Sequence, residues 1–186
     1  TTGAAGLHPR VKSVDSLELS SSVLNAGDMF ADQNHRVLHN PKVNFVIQDG
    51  RNHLLTTHKR YDVITSEPPP PRTAFTVNLY TREYYELQKN RLKPGGIAAQ
   101  WIPLHSQGEK EVDMHFKTFQ SVFPYTLAWM PVANEILIIG SDQPIRIDFQ
   151  KLKSRLEEPE VKKALADIEI PEVFSFLSNL WFLDEQ

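Results

Sequence analysis

Tyr61-Asp62-Val63-Ile64-Thr65-Ser66-Glu67-Pro68-Pro69-Pro70-Pro71 changes character at its middle. Up to Thr65 the run is aromatic and β-branched, the composition of a strand. Four prolines then follow. They lack N–H donors and fix φ, so neither a helix nor a central strand can continue through them. They predict a stiff, extended loop. A strand therefore runs straight into a rigid loop, with Glu67 at the junction.

The same alternation spreads outward from this point. Downstream, Tyr80 to Leu92 has helical spacing and closes at Lys93-Pro94-Gly95-Gly96, a helix stop. Ile97 to Ile102 reads as a strand. Glu109 to Phe123 is an amphipathic helix with Val112, Phe116, Phe119, Val122 and Phe123 inward, stopped by Pro124. Tyr125 to Met130 and Glu135 to Gly140 flank a short turn and predict an antiparallel hairpin. Upstream, Val11 to Leu19 and Val43 to Ile47 read as strands. Between them Ser20 to Asp32 is helical from a Ser N-cap, and Asn40-Pro41 is a turn. Arg51 to His58 is a short helix.

Strands alternating with helices predict an α/β, three-layer, Rossmann-like domain with a mostly parallel sheet and a C-terminal antiparallel hairpin. Residues 142–186 add helices at Asp148 to Glu157 and Glu160 to Ile168. They end in an aromatic stretch, Pro171 to Phe182, that is helical or a docking tail.

Composition narrows the function classes. With 186 residues the chain has the size of one domain, a core over 1–141 and an extension over 142–186. It has no Cys, which excludes disulfides, thiolate-held zinc, iron–sulfur clusters and thiol catalysis. A net charge of −3 and the lack of a basic stripe argue against a nucleic-acid partner. No apolar run approaches the ~18 residues of a membrane span. His53 and His58 stand five apart and no HExxH spacing occurs, so no metal is expected. Trp101, Trp129 and Trp181 read as core residues. Residues 151–163 carry charges of both signs, the pattern of a solvated helix face.

In open α/β sheets, ligands bind beyond the carboxyl ends of the strands. Three successive strand ends here carry carboxylates: Glu18, Asp49 and Glu67. An acid at the end of an early strand can accept both ribose hydroxyls, which suits Glu18. Asp49 can accept from an adenine amino group, with Gly50 allowing close backbone approach. A carboxylate at Glu67 can bind an ammonium and take its proton during attack on an electrophile. Each also has a plainer reading: a solvated strand-end acid for Glu18, a turn at Asp49-Gly50, and for Glu67 a loop acid paired to a surface Arg such as Arg72.

The ordered set Leu17-Glu18-Leu19-Ser20, Asp49-Gly50-Arg51, Tyr61 to Pro68, Leu79-Tyr80-Thr81-Arg82-Glu83-Tyr84-Tyr85, Leu92-Lys93-Pro94-Gly95-Gly96-Ile97 and Gln100 resembles the spermidine/spermine synthase family over roughly residues 1–141. These are aminopropyltransferases on the fold of class I S-adenosylmethionine-dependent methyltransferases. The Ser66-Glu67-Pro68 to Pro71 stretch looks like the bacterial synthase-like branch often fused to membrane segments. The resemblance implies decarboxylated S-adenosylmethionine, or S-adenosylmethionine itself, as the nucleoside, and a polyamine as acceptor. It implies that Glu18 and Asp49-Gly50 hold the nucleoside, that Glu67 serves the attacking amine, and that Gln100 and Tyr80 line the substrate. It also implies a cytoplasmic location, or the cytosolic side of a membrane-tethered parent.

Three departures from the family pattern stand out. Glu67 replaces an Asp. Pro70 occupies the position of a second acid three residues later. The first strand and most of its Gly-rich turn have no counterpart, and Thr1 to Pro9 resembles the end of that turn and the helix after it. The chain reads as a fragment lacking the first strand, inactive by itself, with strand edges open to homodimer pairing. Two other readings stand beside transfer: a methyltransferase, and a non-catalytic nucleoside-binding domain of a membrane-fused protein.

Overall fold

The computed structural model describes residues 1–105, 107–132, 134–168, 170 and 172–182. In chain order the elements are α1 (Thr2–Leu7), β1 (Val14–Glu18), α2 (Ser21–Asn25), β2 (Val43–Ile47), α3 (Gly50–Thr56), β3 (Tyr61–Ser66), α4 (Arg82–Arg91), β4 (Leu92–Pro103), α5 (Glu109–Gln120), β5 (Tyr125–Val132), β6 (Glu135–Ser141), α6 (Phe149–Leu156), α7 (Pro159–Ala166), α8 (Val173–Leu177) and β7 (Leu180–Phe182). The fold is α/β, as the alternation predicts. The helix expected over Ser20 to Asp32 is shorter: α2 stops at Asn25, and a 3₁₀ turn takes over at Gly27–Phe30. Gly27 lies at that change of helix type, in keeping with its poor helix propensity. No helix among the described residues is long and apolar enough to cross a membrane.

The chain divides into two compact units. The first comprises Thr1–Thr56 and Lys153–Ile170, the second Thr57–Leu152 and Pro171–Gln186.

In the first unit β1 and β2 pair in parallel, with Val14 opposite Val43 and Glu18 opposite Ile47. The backbone N–H of Gln48 donates to the Glu18 carbonyl at 3.0 Å, which carries the pairing one step past the strand end. Both strand ends thus stand level. Helix α1 approaches the 34–40 segment closely. A Cβ on Gly6 would lie 2.7 Å from the Asn40 side-chain amide, and one on Gly3 would collide with the Asn34 carbonyl. Small residues in α1 are required by that approach. An Arg10–Glu158 ion pair ties the start of the unit to the residue before α7.

In the second unit five strands form one sheet in the order β3-β4-β6-β5-β7. Only β3–β4 is parallel; β4–β6, β5–β6 and β5–β7 are antiparallel. The sheet is therefore mixed: the expected parallel pairing is met in part, at β1–β2 and β3–β4, and the expected hairpin β5–β6 is antiparallel. A connection as short as that between β5 and β6 can only fold back antiparallel, because a parallel return needs a dozen residues or more. The hairpin then inserts β6 beside β4. The aromatic C-terminal stretch, read as helix or docking tail, is both: α8 is followed by β7, which pairs with β5 through Leu127–Phe182 and Trp129–Leu180.

One face of this sheet carries the core. Tyr85 of α4 and Phe119 of α5 meet edge to face at 5.0 Å, and Phe123 stacks on Phe119 at 4.8 Å. All three are fully buried, as are Ile102 and Ile138 of the sheet. Lys89 of α4 donates to the Val122 carbonyl at 3.0 Å, joining the two helices.

Candidate functional site

Two clusters hold the strand-end residues, one in each unit.

In the first unit, Glu18 and Asp49 follow the level ends of β1 and β2. Each carboxylate is pinned by the backbone just beyond it. The Ser20 N–H donates to Glu18 Oε1 at 3.0 Å. The Asn52 N–H donates to Asp49 Oδ1 at 2.8 Å, so Asp49 caps α3. Such bonds orient a short acid and cost it only one oxygen of two. A Cβ on Gly50 would meet nothing within 4 Å, so open space lies beside the backbone there. The cluster combines two oriented acceptors with an uncrowded glycine, which is what donors such as ribose hydroxyls and an amino group require.

In the second unit, Glu67 follows β3 and lines a cavity of about 570 Å³ with Pro68, Pro69, Pro70, Trp101, Trp129 and Glu135 among its walls. The loop that carries Glu67 is held by its carbonyls. The Tyr80 hydroxyl donates to the Pro68 and Pro69 carbonyls at 3.2 and 3.1 Å. The Thr76 hydroxyl donates to the Pro70 carbonyl at 2.8 Å. A run of prolines has only carbonyls to offer, so it can be fixed only by donors from outside. Tyr80, buried, supplies two of them, and burial pushes its phenol well above the usual range. Its hydroxyl is engaged with the carbonyls of the loop that follows Glu67.

Tyr80 rests in turn on His115. Their rings lie 5.2 Å apart, and His115 Nε2 is 2.8 Å from Gln107 Oε1. Gln107 closes the chain by donating to the Pro103 carbonyl at the end of β4. His115 is buried, and desolvation lowers its pKa below the ordinary 6.5. Here the unfolded chain binds the proton more tightly than the folded one. Stability is therefore full above pH 6.5 and is lost as pH falls from there toward the depressed folded value. We expect the unfolding midpoint to drop as pH is lowered through this window, and His115→Gln to flatten that slope. Denaturation followed at pH 7.5, 6.5 and 5.5 checks it. An unchanged slope in the variant would assign the pH dependence elsewhere.

Gln100 is fully buried on β4, opposite Ser66 on one side and Ile138 on the other. Its amide donates to the Trp101 carbonyl at 3.4 Å, while Oε1 is buried without a partner among the described residues. Sequence reasoning missed two kinds of residue at the cavity. Trp101 and Trp129, read as core, line its wall, and Glu135, expected only as the start of a strand, stands at its rim. Nothing local in the sequence marks them, because what brings them together is the pairing of β4, β6 and β5. No cluster of three or more possible metal ligands occurs among the described residues.

Comparison with known proteins agrees with this arrangement of elements. The spermine/spermidine synthase domain profile matches residues 7–143. Over 164 residues the chain is 27% identical to a polyamine aminopropyltransferase of Methanocaldococcus jannaschii, covering 83% of this chain and 56% of that protein. The structure is similar to a spermidine synthase from Thermotoga maritima, with a TM-score of 0.65 at 20% identity, over 84% of this chain and 58% of that one. It is similar also to a spermidine synthase in complex with the transition-state analogue AdoDATO, with a TM-score of 0.64 at 19% identity, over 84% and 57%. At such identities the solved structures establish the fold. The chain spans under three-fifths of the length of each of these proteins.

Proposed function

The chain belongs to the spermine/spermidine synthase domain family, and on that premise we propose that it moves an aminopropyl group from decarboxylated S-adenosylmethionine to an amine. Glu18 accepts from the ribose hydroxyls and Asp49 from the adenine amino group, with Gly50 giving the nucleoside room. Glu67 binds the acceptor ammonium and takes its proton. The freed nitrogen lone pair attacks the methylene carbon beside the sulfonium. A C–N bond forms, the C–S bond breaks with its electrons going to sulfur, and neutral methylthioadenosine leaves. The observation that carries this reading is Glu67 at the rim of a cavity walled by indoles and prolines. Such a wall suits an aliphatic ammonium: a carboxylate for the charge, and apolar and π surface for the methylenes.

The test is direct. The protein that carries this chain is incubated with putrescine or spermidine and either decarboxylated or intact S-adenosylmethionine. Methylthioadenosine is the expected product, with S-adenosylhomocysteine absent. S-adenosylhomocysteine would move the assignment to methyl transfer. Nucleoside binding with no product would leave a non-catalytic nucleoside-binding domain, a reading that the uncharged Pro70 supports.

The sheet edges carry a second part of the proposal. Among the described residues β1 pairs only with β2, and β3 only with β4. Val63 of β3 is 58% exposed, an apolar side chain on an unpaired edge. Such edges recruit strands. We expect this chain alone, at micromolar concentration, to sediment as a dimer or larger. A monomer across a hundredfold dilution range would remove edge pairing. On the resemblance to the membrane-fused branch, we extend the proposal to a cytosolic domain of a membrane-tethered parent. Fractionation of cells carrying the whole protein checks that placement.

A further inference from the structure

Glu67 is bracketed on both sides by bonds to the entry of one helix. On its N-terminal side, the Ser66 hydroxyl is 3.1 Å from the hydroxyl of Tyr84, a buried residue in the first turn of α4. On its C-terminal side, three consecutive carbonyls are held by hydroxyls of the segment that leads into α4. Tyr80 donates to the Pro68 and Pro69 carbonyls at 3.2 and 3.1 Å, and Thr76 to that of Pro70 at 2.8 Å. Thr81 then caps α4 by accepting from the Tyr84 N–H at 3.3 Å. Tyr80 and Tyr84 therefore stand on either side of one capped helix start.

Tyr80 is itself braced. Its ring is 5.2 Å from that of His115 on α5. The Gln107 amide nitrogen donates to the Pro103 carbonyl at the end of β4, and its oxygen faces His115 Nε2 at 2.8 Å. An amide oxygen only accepts, so Nε2 carries the hydrogen and the ring orientation is set. A line of contacts thus runs from the end of β4 through α5 to the loop after β3.

The loop needs such support. A proline run has no N–H with which to join a ladder, and its carbonyls can bond equally well to water. A Glu carboxylate lies at the end of three rotatable bonds, so its reach depends on where the backbone is held.

We propose that Tyr80 and Thr76 are positioning residues, whose hydroxyls fix the proline loop so that the Glu67 carboxylate is held at the reacting amine. This rests on the aminopropyl-transfer reading, and it gives Tyr80 a task other than lining the substrate.

The experiment uses Tyr80→Phe, which keeps the ring against His115 and removes only the hydroxyl. With putrescine and decarboxylated S-adenosylmethionine, kcat should fall about tenfold, because a displacement near 1 Å can cost up to about a hundredfold. The amine KM should stay within threefold and nucleoside affinity within twofold. A purely structural role would lower the urea midpoint and leave kcat alone. Thr76→Val should lower kcat in the same way, and Thr76→Ser, which returns the hydroxyl, should restore it. Because Thr76 is not in the buried core, this pair decides the matter if Tyr80→Phe does not fold. An unchanged kcat in Tyr80→Phe, or equal loss in Thr76→Val and Thr76→Ser, overturns the proposal.

Trypsin cleavage after Arg72 reads the loop without any reaction. Arg72 is exposed one residue past the prolines, and the next N–H, of Thr73, donates to the Pro70 carbonyl at 2.9 Å. Cleavage there requires local opening. Loss of one hydroxyl bond should speed it about fivefold, with the other Lys and Arg sites unaffected. That result in a protein that makes no methylthioadenosine keeps the fixed loop and discards the transfer. An unchanged rate at Arg72, or equal acceleration at every site, overturns the positioning role.

Discussion

Glu67→Gln should reduce methylthioadenosine formation by about 10²- to 10⁴-fold, the range a positioned general base contributes. Nucleoside affinity should stay within a factor of two, because the nucleoside is proposed to bind Glu18 and Asp49 and not residue 67. The amide keeps the length of the side chain and an oxygen to accept from the ammonium. It cannot take a proton, and it has no charge to offset the ammonium. Loss should therefore fall chiefly on kcat, with a smaller rise in the amine KM. The loop geometry makes the comparison clean. Pro68, Pro69 and Pro70 are fixed through their carbonyls by Tyr80 and Thr76, and those bonds do not involve the residue 67 side chain. Rates measured with saturating decarboxylated S-adenosylmethionine and varied putrescine decide it. A variant retaining more than a tenth of the wild-type kcat would remove Glu67 from proton transfer.

Phe119→Ala should lower the stability of the second unit by about 3–5 kcal/mol, the usual cost of truncating a buried Phe. Phe119 is fully buried, and its ring contacts both Tyr85 and Phe123. It also faces Gly140 of β6, where even an added Cβ would lie 2.5 Å from the Phe119 ring. The ring thus fills the space that the missing glycine side chain leaves, and α5 seats directly on the sheet. Emptying that space removes contacts on a helix, a neighbouring helix and a strand together, and a close-packed core relaxes only in part. A domain is stable by about 5–15 kcal/mol in total, so this single change takes a large fraction of it. Urea unfolding followed by tryptophan fluorescence reports on this unit, since Trp101, Trp129 and Trp181 all lie within it. A loss below about 1 kcal/mol would mean that the helix and sheet can close on the vacated space.

Much of the architecture is legible in the chain because it is written locally. Strand β2 has the bounds that its β-branched run and the following Asp49-Gly50 suggest. Helix α5 begins at Glu109 as its apolar spacing requires, although its regular turns end at Gln120, ahead of the stop at Pro124. Glu18, Asp49 and Glu67 stand at the ends of β1, β2 and β3 because each is set beside a break in pattern that is visible in the sequence. A strand end marked by a turn or by proline needs no knowledge of its neighbours to be located.

The rest depends on which strands lie side by side. The row Trp101–Leu137–Trp129 exists only through the register of β4, β6 and β5, and a shift by one residue would turn every one of those side chains to the opposite face. Glu135 becomes a wall of the cavity for the same reason. Tyr80 carries a helix-entry signal in the sequence, but its task of holding the proline carbonyls comes from a contact across twelve residues. The mixed sheet follows from β6 inserting between β4 and β5, a choice made by pairing and not by propensity. The sequence by itself determined the alternation of elements and the three acids at its strand ends, because those rest on local stereochemistry. The tertiary structure alone decided which indoles and which fourth acid line the cavity with Glu67, because pairing between strands distant in the chain sets what shares a face.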